Sequence, residues 1–149
     1  MAKKAFIVFL LIPLMSLSQT PKDSTRLKEM ATFGFLQGGG SLLGFDYEHL
    51  LSKRVGIQVG AGILAFGGSL NFHIKPKINS SSINLIYWHQ GIGKHHYTQG
   101  IMGLAYSFKA WGWFSSQVGL GHAAQYGPVR PKVKTEVIPL YSVGFYYPF

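Results

Sequence analysis

Apolar and small polar residues alternate along most of this chain with a period of two. Within residues 55–65, VGIQVGAGILA, valine, isoleucine and alanine share one face, and glycine and glutamine occupy the other. A period of two is typical of a β-strand. The pattern predicts an all-β chain, although residues 82–90 are apolar on both faces and Ile101, Trp113 and Ser116 break the alternation. The predicted strands are residues 29–36, 41–50, 55–65, 69–75, 82–90, 98–108, 113–121 and 141–149.

Short polar or glycine-rich stretches separate these segments. Turns are predicted at residues 51–54, 66–68, 76–80, 93–95 and 109–112, and a long basic loop is predicted at 122–136. Two strands joined at Gly38, Gly39 and Gly40 give a count of eight, whereas a glycine bulge inside one long strand gives seven. Because bacterial single-chain barrels have an even number of strands, eight is the prediction.

The two faces of the strands differ in polarity, and the difference indicates that much of the outer surface does not face water. One face is apolar and aromatic, and the other carries glycine, serine, amides and a few charges. Only 13% of the residues are charged, against about 25% in typical soluble domains. No apolar run is long enough for a membrane-spanning helix, so a closed barrel is the remaining way to cross a bilayer. The sequence therefore predicts a membrane-spanning, antiparallel, up-and-down β-barrel.

In such a barrel the small polar face lies inside. Buried acids need basic partners, and either Lys75 or His73 is expected to supply one. The predicted polar cluster of the lumen comprises Asp46, Glu48, Gln58, Asn71, His73 and Lys75.

The first residues have the pattern of a secretory signal peptide. Lys3 and Lys4 precede the apolar run AFIVFLLIPLMSL, and the small residues Ser16 and Ser18 lie three positions and one position before Gln19. Residues 1–18 are therefore predicted to be a leader and residues 19–149 the barrel domain. The formal charge of +9 suits anionic partners, but export argues against nucleic acid.

The last segment, YSVGFYYPF, places an aromatic and apolar ladder on one face. In a closed barrel the last strand pairs with the first, so this ladder is expected to face lipid, with its final aromatics in the girdle at the membrane boundary. Its members are Tyr141, Val143, Phe145, Tyr147 and Phe149.

Together, the leader ending in SLSQ, the segments GGGSLLGFDYEH and LLSKRVGIQVGAG, and the closing GFYYPF resemble small bacterial outer-membrane β-barrel proteins of the Bacteroidetes type. The resemblance implies a cell outer-membrane location. It also implies that the barrel-assembly machinery recognises the C-terminal ladder, although Pro148 departs from the usual pattern.

Three motifs suggest other chemistry. Gly60, Gly62 and Ala65 match a dinucleotide-binding pattern, but no helix or acid follows at the required spacing. A second motif, His89, His95 and His96, lacks the further ligands that a metal site needs. A lipid hydrolase would need a serine, a histidine and an acid in mutual reach, for which the candidates are Ser115, Ser116, His122 and Glu136.

The expected function is a structural or surface-interaction role, with a filled, non-conducting lumen and without catalysis, cofactor or metal. Outer-membrane lipid and the barrel-assembly machinery are the expected partners. Two alternatives remain open. One is a hydrolase of membrane lipids of the lipid A type, and the other is a secreted soluble barrel that binds an apolar ligand as lipocalins do.

Overall fold

The protein is a closed barrel of eight antiparallel β-strands. The computed structural model describes residues 27–91, 99–125 and 137–149. Each strand pairs with its neighbours in chain order, and β8 pairs with β1. The predicted all-β fold, up-and-down topology and count of eight are confirmed. The strands are β1 Glu29–Phe35, β2 Leu43–Leu50, β3 Val55–Gly62, β4 Ala65–His73, β5 Ser82–Gln90, β6 Gln99–Ala110, β7 Phe114–Gln125 and β8 Ile138–Pro148.

The barrel closes through a staggered register. Phe33 of β1 pairs with Phe145 of β8, and the backbone N–H of Phe149 donates to the carbonyl oxygen of Glu29 at 2.8 Å. A path of paired residues that starts at Met30 and passes round the barrel reaches β8 at Ile138, ten residues before Pro148, the β8 residue that pairs with Met30. This displacement is the stagger that tilted strands need in order to close.

The two ends of the barrel are named here by their connections. The lower end carries residues 51–54, 74–81 and 111–113. At the upper end, residues 36–42 join β1 to β2 and residues 63–64 join β3 to β4; β5 and β7 end there, and β6 and β8 begin there. The predicted leader and most of the long basic loop lie outside the described residues. Within the described ranges, no helix is long and apolar enough to cross a membrane.

The triple glycine forms a loop that folds into the upper mouth. Gly38, Gly39 and Gly40 have φ values of 62°, 85° and 80°, a left-handed region that favours glycine. A side chain at Gly39 would collide with the backbone of Phe66. The Gln90 amide donates to the carbonyl of Gly40 at 3.2 Å and fixes the loop in place. The alternative of a bulge within one long strand is therefore wrong.

The predicted turn at residues 66–68 is also wrong, because these residues lie within β4. The chain reverses at residues 63–64, where Leu64 has a φ of 64°. The position of Gly67 requires glycine because neighbouring backbone approaches it closely, not because the chain turns there. A Cβ there would lie 2.6 Å from the carbonyl oxygen of Tyr87 and 3.0 Å from the Cα of Gly39. This glycine allows close packing against the upper loop.

The interior contains an apolar cluster at each end of a polar middle. The two-sided pattern of β5 has its explanation here, because Ile86 and Trp88 point inwards while Ile83 and Leu85 point outwards. Ile101 also faces inwards, next to a register shift at the start of β6. The upper cluster comprises Ile86, Trp88, Ile101, Ala105 and Leu140, and the lower cluster comprises Met30, Leu50, Ile78 and Tyr146.

Candidate functional site: a charged cluster inside the barrel

Glu48 is the centre of a buried polar cluster above the lower apolar cluster. Its Oε1 accepts hydrogen bonds from Asn71 Nδ2 at 2.7 Å and from His73 Nε2 at 2.8 Å. Its Oε2 accepts from Lys109 Nζ at 3.2 Å. The side chains of Glu48, His73 and Lys109 are 1%, 0% and 4% exposed. A carboxylate so deeply buried requires this pairing, because an isolated charge in the interior is very costly.

Lys109 also connects the cluster to the lower closure of the barrel. Its Nζ donates to the carbonyl oxygen of Ile78 at 2.9 Å. Ile78 belongs to residues 74–81, and its side chain is fully buried against Met30, Leu50 and Tyr146. The connection between β4 and β5 therefore folds inwards and closes the lower end of the lumen.

A hydrogen-bonded chain extends from the cluster towards the upper loop. Asn71 Nδ2 donates to Gln58 Oε1 at 2.9 Å, and the side chain of Gln58 hydrogen-bonds Asp46. Asp46 Oδ2 accepts from the backbone N–H of Gly38 at 3.1 Å. The polar face of β2, β3 and β4 thus forms one continuous network from the lower closure to the upper loop.

The structure places five of the six predicted lumen residues in this network and leaves out the sixth. Lys75 is exposed, because β4 ends at His73 and the chain has already turned out of the barrel. The lysine that pairs with Glu48 is instead Lys109, 61 residues away in sequence. Lys109 is the second-last residue of β6. The sequence pattern assigned it to a turn, so its pairing with Glu48 was not predicted.

The opposite wall of the lumen is polar and closely packed. Asn84 Nδ2 donates to Ser107 Oγ at 2.6 Å, and Ser142 Oγ donates to Gln117 Oε1 at 3.4 Å. Ser82 Oγ and Asn84 Oδ1 have no hydrogen-bond partner within the described part of the chain. A cavity of about 10 Å³ lies beside Ser82, which is on the scale of about one water molecule. The polar middle of the lumen is therefore filled by side chains.

A serine, a histidine and a carboxylate do meet at one place, but their contacts are those of a turn. Ser80 Oγ lies 3.4 Å from His73 Nδ1, and His73 Nε2 contacts Glu48. However, Ser80 Oγ also accepts from the backbone N–H of Lys75 at 3.3 Å and donates to the carbonyl of Lys75 at 3.1 Å. These bonds close the turn, and Lys109 neutralises the carboxylate. The arrangement favours a structural role for all three side chains.

The three hydrolase candidates that the structure describes, Ser115, Ser116 and His122, are not brought together. Ser115 is buried on the inner face of β7, whereas His122 is exposed on its outer face. Ser116 shares the outer face but lies six residues away along an extended strand, a separation of about 20 Å. Glu136 lies outside the described residues.

The other sequence motifs also have structural explanations. Gly60 and Gly62 lie on β3, which is followed by another strand, so the dinucleotide reading lacks its helix. His89 stacks on Phe66 with ring centroids 4.6 Å apart, while His95 and His96 lie outside the described residues. Across residues 27–91, 99–125 and 137–149, no three histidine or acidic side chains are grouped as metal ligands would be.

The outer face of the barrel is apolar on every strand. The outward-pointing side chains are large and apolar, and most are aromatic or branched. Many of them are between 46% and 63% exposed. They include Phe33, Phe45, Ile57, Val59, Phe66, Phe72, Ile83, Leu85, Met102, Leu104, Val118, Leu120, Tyr141 and Phe145.

Aromatic rings concentrate at the lower edge of this outer face. Trp113 packs on Phe145 with centroids 5.4 Å apart, and Trp111 lies 5.3 Å from Phe114. In the C-terminal ladder, Tyr141, Phe145, Tyr147 and Phe149 are exposed, and Val143 is half-buried. Phe149 lies beside both Tyr147 and Tyr47. Part of the ladder therefore joins a band of rings at the lower end.

Comparison of the chain with protein-family models, with curated proteins and with solved structures found no match.

Proposed function

We propose that this protein is an outer-membrane β-barrel with a structural or surface-interaction role and a filled, non-conducting lumen. The observation that carries the proposal is the polarity of the barrel. Large apolar side chains cover the outer face of all eight strands, and the buried charges of Glu48 and Lys109 lie inside. A water-soluble monomer rarely exposes so extensive an apolar surface, whereas a lipid-facing barrel requires it.

The distribution of outer polar groups supports the same setting. Among the described strand residues, the outward polar side chains lie towards the ends, with Glu29 and His49 at the lower edge and His89 and His122 towards the upper one. The apolar face lies between these levels, and the lower aromatic band borders it. An apolar belt bordered by aromatic rings is a feature of membrane-spanning barrels.

The lengths of the connections suggest an orientation. The widest interval between consecutive strands, from Gln125 to Ile138, starts and finishes at the upper end. Outer-membrane barrels have short periplasmic turns and longer extracellular loops. We therefore assign the upper end to the cell surface and the lower end, with its inward-folded closure, to the periplasm.

The soluble ligand-binding alternative is less well supported by the interior. A lipocalin-like barrel needs an apolar cavity inside and a polar outer surface. Here the inward side chains of the middle are polar, and the cavity beside Ser82 holds about one water. The upper apolar cluster around Ile86 and Trp88 is packed against Leu140 rather than open to a ligand.

The partners follow from this setting. Membrane lipid contacts the apolar outer face, and the barrel-assembly machinery inserts the chain, with the C-terminal ladder as its recognition element. Neither role requires a cofactor, a metal or catalysis. The closed lumen separates this protein from diffusion porins, because the loop at Gly38 and the buried Ile78 lie at its two ends.

Expression of the full chain in a bacterium with two membranes tests the location. We expect the protein to sediment with the outer membrane, to resist extraction by alkaline carbonate and to need detergent for release. On a gel it should migrate differently before and after heating, as a folded membrane barrel does. Recovery as a soluble periplasmic monomer would contradict the membrane proposal.

Planar bilayer recordings test the filled lumen separately. The purified protein should give no conductance steps above those of the bilayer alone. A variant that alters the lower closure, Ile78→Ser with Lys109→Met, is the matched comparison because it loosens the closure and leaves the apolar outer side chains unchanged. Steady conductance through the unaltered protein would disprove a filled lumen but leave the membrane location intact.

A further inference from the structure

An open groove lies on the outside of the barrel at the lower end, beside the connection between β4 and β5. Its volume is about 420 Å³, within the range of roughly 300–1,000 Å³ that small-molecule sites occupy. It is distinct from the small lumen cavity beside Ser82. Its lining residues are Ile74, Lys75, Lys77, Asn79, Ser80, Ser81, Tyr106 and Lys109.

The polar side of the groove is positively charged. Lys75 is exposed, Lys77 is half-buried, and Lys109 forms part of the floor. None of the described lining residues is acidic, although Glu48 pairs with Lys109 from the lumen side. Asn79, Ser80 and Ser81 add hydrogen-bonding groups. Ammonium, amide and hydroxyl donors around one space are suited to an anionic group with several oxygen atoms, such as a phosphate.

The connection that carries these lysines is held in one conformation. Ile78 is anchored in the lower apolar cluster, and Lys109 holds its carbonyl oxygen at 2.9 Å. The backbone N–H of Lys77 donates to the carbonyl of Lys75 at 2.7 Å, and that of Ser80 donates to the carbonyl of Lys77 at 3.1 Å. Because the backbone is fixed before a ligand arrives, less conformational entropy is lost on binding.

The other side of the groove is continuous with the apolar outer face. Ile74 is 51% exposed and Tyr106 is 39% exposed. Tyr106 pairs with Ile83, which is 53% exposed on the neighbouring strand. A ligand in the groove therefore meets positive charge at one end and the proposed lipid-facing surface at the other. Free phosphate would use only the first of these surfaces.

We infer that the groove binds a membrane lipid with an anionic phosphate headgroup, its phosphate at Lys75 and Lys77 and its acyl chains along Tyr106 and Ile74. The inference rests on the proposed membrane location, and it adds a specific lipid site on the periplasmic side. Attraction of anionic headgroups to lysines at the membrane surface is the physical basis. The inward-folded closure of the barrel thus also shapes its outer surface.

Lipid retention in nanodiscs tests the site. The full-length protein is reconstituted into phosphatidylcholine bilayers that contain a small fraction of phosphatidylglycerol, and the bound lipid is measured by native mass spectrometry. We expect enrichment of phosphatidylglycerol, and we expect Lys75→Gln with Lys77→Gln to weaken it by about fivefold for each lysine lost. Equal retention of both lipids by the unaltered protein would overturn the inference.

The neighbouring turn provides the matched control. Lys53 and Arg54 are exposed at the same end of the barrel but do not line the groove. Lys53→Gln with Arg54→Gln should leave the enrichment unchanged, and a loss as large as that of the groove variant would mean non-specific surface charge. A second arm adds inorganic phosphate at millimolar concentration. Displacement of the lipid by phosphate alone would overturn the assignment to a lipid.

Barrel insertion is measured on the same samples by the heat-dependent gel shift. If the unaltered protein does not insert, the proposed function and this inference fail together. If it inserts and shows no lipid preference, only the inference fails. The groove variant should insert as well as the unaltered protein, because neither lysine belongs to the buried network.

Discussion

Adjacent residues of β2 show how differently the two faces of this barrel are built. Phe45 is 47% exposed on the outside, whereas Asp46 is 6% exposed inside. Asp46 has defined partners at Gly38 and Gln58. Phe45 pairs across strands with Phe33 and Ala61 but needs no particular polar contact. The outer position therefore requires only an apolar side chain, whereas the inner position requires a side chain that fits its particular partners.

The difference has a thermodynamic origin. In the proposed setting, lipid is a fluid solvent that accepts any apolar side chain, so outer positions depend mainly on hydrophobicity. Inside the barrel, Glu48 and Lys109 have lost their hydrating water. Only a well-formed ion pair with further hydrogen bonds offsets the free-energy cost of this desolvation. Substitutions inside the barrel should therefore be costly when they remove or crowd a partner, and those outside should be costly only when they add charge.

Removal of one member of the buried pair should have the largest effect. Lys109→Met leaves Glu48 buried without its main counter-charge and releases the carbonyl of Ile78. We expect the free energy of unfolding to fall by about 3–5 kcal/mol. Urea unfolding in detergent micelles or lipid vesicles measures it.

Two further variants sharpen this result. Lys53→Met removes an exposed lysine and should change the free energy of unfolding by no more than about 0.5 kcal/mol. Glu48→Gln added to Lys109→Met should recover part of the loss, because it removes the unpaired charge. If Lys109→Met alone is as stable as the unaltered protein, the pair of Glu48 and Lys109 does not stabilise the barrel.

A charge on the outer face should have the next largest effect. Leu104 is 60% exposed in the middle of β6, and Leu85 and Leu120 lie opposite it on the adjacent strands. Leu104→Lys should cost about 2–4 kcal/mol in a bilayer if the side chain lies near its midplane. Unfolding in lipid vesicles is the measurement.

Leu51 provides a control with almost the same exposure. It is 62% exposed in the turn at the lower end, so Leu51→Lys should cost only about 0–1 kcal/mol. In a soluble barrel both lysines would face water and both would be tolerated. Equal, small effects in vesicles would therefore argue against a lipid-facing outer surface.

Crowding of the interior should have the smallest of the three effects. A side chain at Gly60 would collide with the carboxyl group of Asp46, so Gly60→Val should cost about 1–3 kcal/mol. Ala61 is the next residue and is exposed on the outer face. Ala61→Val should change the free energy of unfolding by less than about 0.5 kcal/mol. If the two substitutions lower the free energy of unfolding by similar amounts, the inner and outer faces do not differ in their tolerance of added volume.

Much of the fold could be predicted because alternation is a local property. The faces of β6 follow directly from its sequence, with Met102, Leu104, Tyr106 and Phe108 all exposed outside. The pattern was less informative in β5, where Ile86 and Trp88 belong to an apolar cluster inside the barrel. There, both faces are apolar for different reasons, and a period of two does not separate them.

The positions of turns were harder to predict than the strands. Gly67 and Gly68 suggested a turn, but they lie in β4, and the reversal occurs at residues 63–64. Glycine marks either conformational freedom or close approach, and the sequence does not distinguish them. Leu64 occupies the positive-φ position instead, so the usual turn chemistry gave no signal there.

Alternation along the chain was enough to predict the class of structure: eight strands, an apolar face opposite a small polar one, and the acids Asp46 and Glu48 on the inner side. The partners of these acids could not be predicted in this way. Closure of the barrel brings Lys109 to Glu48 across the lumen, folds Ile78 into the lower end and leaves Lys75 outside. The physical reason is that alternation depends on neighbours along the chain, whereas pairing across the lumen depends on stagger and on where each connection turns inwards.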